Sequence, residues 1–113
     1  MVSVTSDEHK RLALQAARCA EKVLSLFAQE RPDDSRPKAA IEAAHHWATG
    51  ELSVADARKA AFAAHAAARE CSIPAAIAAA SCAGHAAATA HMWSHASVAE
   101  AYMKKAMTLK ASS

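Results

Sequence analysis

Seven histidines stand in this chain, and three of them, His85, His91 and His95, lie in a stretch from Cys71 to Ala99 that holds no Asp, Glu, Lys or Arg. Imidazole changes charge close to neutral pH, so such groups can serve as metal ligands, general bases or pH-dependent charges. Spacing separates these roles. On one continuous helix His91 and His95 share a face, whereas His85 stands about 15 Å from His95 along the axis. One metal would therefore need His91 and His95 together with ligands from another helix, such as His65 or His45. The H-x3-H spacing comes without an HExxH, a Glu-x-x-His pair or a Cys–His cluster, so no metal and no cofactor is expected. Ser81 and Cys82 lack the sharp elbow that would present a nucleophile, and the chain does not read as an enzyme. The simplest role for the three rings is structural: neutral imidazoles, each with one donor and one acceptor, hydrogen-bonded between helices.

A second group follows from helical spacing. Arg58, Phe62, His65 and Arg69 recur at steps of four, three and four and so project together. Arginines beside a histidine usually pair with carboxylates, and Glu42 or Glu70 is available, which points to an ion-pair network. The competing use is a small anion or ligand cleft shared with His85 and Thr89. Near the end of the uncharged stretch, Met92 and Trp93 are expected partner contacts, as is Trp47 at the corner between the second and third helices.

The elements that must carry these residues are helices. Alanine accounts for 34 of 113 residues, glycine for two and proline for three, and there is no asparagine. Alanine favours helix and buries little area, so an all-α bundle of about five Ala-rich helices packed very close together is expected. The first helix starts after Ser6 and carries Leu12, Ala16, Cys19, Val23 and Leu26 on one face. "QERPDDSRP" ends it. The second opens near Ser35, with Pro37 in its first turn, buries Ile41, Ala44 and Ala48, and closes at Gly50 in a left-handed cap. The third begins at the cap Ser53, with Asp56 in a capping-box position and an inner stripe starting at Val54. The fourth runs from about Pro74, with Ser72 as cap, to about Met92, and the "SVAE" box places a fifth from Ser97 to about Leu109. Lacking charge, the fourth helix belongs in the centre, with neighbours antiparallel around it. Residues 7–110 form one domain, with flexible termini at 1–6 and 111–113.

Other classes are disfavoured. A net charge of +2 and a pI near 8.5 fall far short of a nucleic-acid-binding face. The uncharged stretch is long enough for a membrane span, but it is mostly alanine with Ser, Thr, Gly and His interspersed. The first ten residues lack a signal-peptide pattern, and Cys19, Cys71 and Cys82 read as reduced thiols of a cytoplasmic protein. A small core of short side chains favours a homodimer.

"RPKAAIEAAHHWATGELSVADARKAAFAAHAAARE" and "AGHAAATAHMWSHA" resemble the immunity-protein family described as like the fifth immunity family of bacterial polymorphic toxin systems. The resemblance spans roughly residues 8 to 107, and "GHAAATAH" is its most specific segment. It adds Arg36 and Glu42 to the group, which becomes Arg36, Glu42, Arg58, His65, Arg69, His85, Thr89, His91 and His95. After His95 the sequence is more polar than the family pattern. The resemblance implies a cytoplasmic helical protein that binds a protein partner, a cognate toxin, and neutralises it. The weakly basic charge disfavours an acidic plug for a nuclease. Two other readings stand beside it: a ligand- or metal-binding protein using a His65/His85/His91 cleft, and an accessory protein that acts only through assembly.

Overall fold

The computed structural model describes residues 4–111. They form five helices and no strand: α1 (Ser6–Glu30), α2 (Arg36–Ala48), α3 (Val54–Glu70), α4 (Pro74–Ala88) and α5 (His95–Ala111). Ser6 and Ala111 are helical, so the helices run slightly beyond the expected 7–110, while the expected flexibility of 1–3 and 112–113 lies outside the described residues. No described helix is long and apolar enough to cross a membrane.

α4 packs against every other helix, whereas α3 and α5 make no close backbone approach to each other. The central position follows from composition. Ala76, Ala78, Ala79, Ala80, Cys82, Ala83, Gly84, Ala86 and Ala87 are all buried, so α4 is covered on most of its surface, leaving one stripe through the exposed Ile77 and the partly buried Ser81, His85 and Ala88. The largest fully buried side chains are Phe27, Val23, Thr89, Pro37 and Cys82, and α1 supplies two of them. The core is otherwise alanine, as the composition requires. α4 is tied to α5 by Cys82, whose thiol donates to the Ala99 carbonyl at 3.1 Å and whose pKa burial pushes up to about 12. All three cysteines are free, and Cys71 is only partly buried.

Helix ends depart from the expected caps in instructive ways. Thr5, not Ser6, caps α1, accepting from the Glu8 amide. Ser53 caps α3 as expected, and Gly50 takes φ +83° after α2, the left-handed geometry that glycine tolerates best. Val54, placed on the inner stripe, stays exposed. Ser72 does not cap α4. The Glu30 carboxylate reaches across from the end of α1 and accepts from the Ser72 and Ile73 amides at 2.8 to 3.1 Å. Those hydrogen bonds hold its pKa below the ordinary carboxylate value.

The largest correction concerns the α4–α5 break, which comes at Thr89 rather than after Met92. The Thr89 hydroxyl donates to the His85 carbonyl at 2.9 Å. His9 Nε2 donates to the Thr89 carbonyl at 2.6 Å, occupying the acceptor that a continuing helix would use. The Ala90 and His91 amides fall back on Ala87 and Ala88, the tighter pattern of a closing turn. α5 then begins at His95, and Ser97 lies inside it, its hydroxyl donating to Ser94 rather than capping. An early restart brings His95 back over α4.

At Gly84 of α4 the His65 ring of α3 fills the space that a side chain would take. A Cβ there would lie 2.5 to 2.7 Å from three atoms of the His65 ring. Gly84→Ala would ordinarily gain about 1 kcal/mol of helix propensity. Here the ring must leave its seat, and overpacking of this kind costs about 1–3 kcal/mol. Urea denaturation should therefore show Gly84→Ala destabilised in the wild-type background. In a His65→Ala background the same change should be neutral or stabilising, and additive losses would rule out the contact as the cause.

Candidate functional site

Three histidines from three different helices meet at the seam where α3, α4 and α5 converge. His65 of α3 lies edge-on to His85 of α4, with ring centroids 4.8 Å apart. The His85 ring inserts between two residues of α5, His95 at 5.1 Å and Tyr102 at 5.3 Å. His85 Nδ1 and His95 Nδ1 are 2.9 Å apart, a hydrogen-bond distance. These two nitrogens can share only one proton, one ring donating while the other accepts through a bare Nδ1. The pair thus holds at most one positive charge without breaking the bond.

The break after Ala88 explains how this contact arises. A continuous helix would keep His85 and His95 far apart, whereas the turn through Thr89 folds α5 back and brings them together. His91, expected to share a face with His95, instead sits exposed on the turn. Tyr102 was not singled out from sequence. Its signal was present, since it stands two turns after His95 on one face once α5 begins there.

Electrostatics favour uncharged rings. Burial, then the neighbouring His65 and His95, pushes His85 down to about 4. His65 is lowered by burial, then by Arg69 and His95, and His95 by burial and then His91.

Beside this ladder of rings, His65, His85, His95 and Tyr102, lies a cavity of about 210 Å³, lined by Arg58, Ala61, Phe62, His65, Ala88, His91 and His95. Arg58 sits over the Phe62 ring, 5.8 Å from its centroid, and Phe62 is 63% exposed. Four of the nine grouped polar residues, Arg58, His65, His91 and His95, therefore share one cavity, with His85 packed behind. The other four lie apart. Thr89 is 0% exposed and bonds to His85 and His9. Arg69 lines a neighbouring groove with His65, Cys71 and Ser81. Glu42 is exposed on α2. Arg36 joins a separate ion-pair network with Asp34 (2.7 Å), Glu70 (3.0 Å) and, through them, Arg31.

That network corrects the expected pairing. Glu70 is taken by Arg31 and Arg36, so among the described residues no carboxylate forms an ion pair with Arg58 or Arg69. Arg36 holds the Asp34 carboxyl well below the usual carboxylate range. The network fastens the α1–α2 loop to the end of α3. Among the described residues no group of three or more His, Cys, Asp or Glu side chains is arranged to hold a metal ion. Of the expected partner contacts, Met92 (46%) and Trp93 (38%) are exposed on the α4–α5 turn, while Trp47 packs against His9 with centroids 4.6 Å apart.

An all-helical bundle with a polar seam and an exposed aromatic edge is the class these features define. The chain belongs to the family described as "Imm-5 like putative immunity protein", whose model matches residues 3–113. No curated protein and no solved structure gives a significant match.

The ladder gives stability a defined pH dependence. A histidine whose pKa is lowered by folding binds its proton more readily in the unfolded chain. Its contribution is therefore complete above the ordinary value of 6.5 and is lost as pH falls toward about 4. The lowered carboxylates Glu30 and Glu70, ordinarily at 4.5, lose their share only below that value. Unfolding free energy should therefore decline between pH 6.5 and 5, and less steeply in His85→Leu, which should be less stable than wild type at pH 7.5. An unchanged slope in that variant would show that the ladder does not set it.

Proposed function

We propose that this protein is a non-catalytic binding module that neutralises a protein toxin by occupying it. The family match over nearly the whole chain carries this reading. The surface supports it: Phe62, Met92 and Trp93 are large apolar side chains left exposed around the α3 edge and the α4–α5 turn, with Arg58 over one of them. Aromatic and arginine side chains are the types that dominate binding energy at protein interfaces. The half-buried ladder beneath would hold this edge in one shape, which lowers the ordering cost of association. Neutralisation by this route needs no cofactor and suits the cytoplasm, where an intracellular toxin acts.

Co-expression with a candidate toxin drawn from the adjacent genes tests the reading. The wild-type protein should restore growth and co-purify with the toxin. Trp93→Ala combined with Phe62→Ala should stay folded and lose most of the protection. Absence of rescue by the wild-type protein would overturn the proposal.

A further inference from the structure

The cavity beside the ladder has an unusual balance of charge. Its cationic group is Arg58, which has no ion-pair partner among the described residues, and no carboxylate lines it. The groups facing it from each element are Arg58 and His65 of α3, His91 of the turn and His95 of α5, with His85 of α4 and Tyr102 packed behind. Arg69 adds positive potential at His65. The remaining walls, Ala61, Phe62 and Ala88, are apolar. One guanidinium, imidazole donors and apolar walls do not suit a phosphate dianion, which recruits several charged donors. They suit a singly charged, planar acceptor on a short hydrocarbon stem.

We infer that this cavity is a carboxylate-binding site, in which Arg58 meets the charge, His91 and His95 supply further donors, and Phe62 covers the stem. A guanidinium–carboxylate pair is planar and two-pronged, and partial exclusion of water strengthens it. Two sources have this chemistry: an Asp or Glu side chain of the toxin, which rests on the neutralisation reading, and a free small acid, which does not. Binding the anion also favours a proton on the neighbouring rings, so affinity rises as pH falls. The lowered pKa values of His65 and His95 leave these rings neutral before the anion arrives.

Butyrate, a carboxylate on a short apolar stem, is the probe. Titrated into the full chain and followed by NMR, it should shift the Arg58 Nε–H and the His91 and His95 ring signals saturably, more tightly near pH 6 than near pH 7.5. Arg58→Gln should weaken it at least several-fold, Arg58→Lys should restore part, and both should keep the wild-type thermal midpoint because Arg58 is exposed. No saturable shift, equal affinity in Arg58→Gln, or equal shifts with butylammonium would overturn the site. Competition then separates the sources, because Arg58 also belongs to the proposed binding edge. Butyrate, but not butyramide, displacing the toxin from the wild-type protein assigns the carboxylate to the toxin, and butyrate that binds without displacing it assigns the carboxylate to a free acid. If butyrate binds but the wild-type protein fails to protect, the neutralisation reading falls and the site stands.

Discussion

One proton shared by two imidazole nitrogens 2.9 Å apart sets α5 against α4. The constraint has weight because so little else at this seam can supply direction. Alanine packs closely but makes no polar contact, and a surface of methyl groups lets one helix slide along another at small cost. Histidine is long enough to cross the gap and polar enough to demand a partner once half-buried. Cys82 adds a second fixed point on the same pair of helices. Gly84 supplies the opposite need, a missing side chain into which the His65 ring fits.

α3 and α5 do not approach each other through their backbones, yet both contact His85 through ring contacts. The ladder is thus the link between the two helices that flank the cavity. Because its half-buried rings are held neutral, the exposed edge formed by Arg58, Phe62 and the α4–α5 turn rests on a base that loses stability on acidification. The opposite end of the bundle is held by different means, the ion pairs of Arg31 and Arg36 and the Glu30 carboxylate on the start of α4. The proposed binding edge and the ion-pair fastening therefore occupy separate ends.

Helix content, the central place of α4 and the left-handed turn at Gly50 were legible in the sequence because they rest on local rules: propensity, absence of charge, and backbone freedom. The position of the α4–α5 break was not. The "SVAE" box is a genuine local signal at Ser97, but the His9 side chain, distant in sequence, takes the Thr89 carbonyl and ends α4 early. That displacement by a few residues changed which histidines meet, from His91 with His95 to His85 with His95. Glu30 capping α4 was invisible for the same reason, since the acceptor comes from another helix. Grouping Arg58, Phe62 and His65 was possible from helical spacing, which also put Arg69 with them; the arrival of His91 at their cavity and the separation of Arg69, Arg36, Glu42 and Thr89 from it depended on tertiary placement.

The tautomers of His85 and His95 bear most directly on all of this. A long-range proton–nitrogen NMR spectrum of the imidazole rings at neutral pH reads them individually. A proton on Nδ1 of one ring and a bare Nδ1 on the other is the expected result, with that proton slow to exchange. Protonation at Nε2 alone in both rings, or free averaging between forms, would mean that no proton joins them and that something else holds α5 in place.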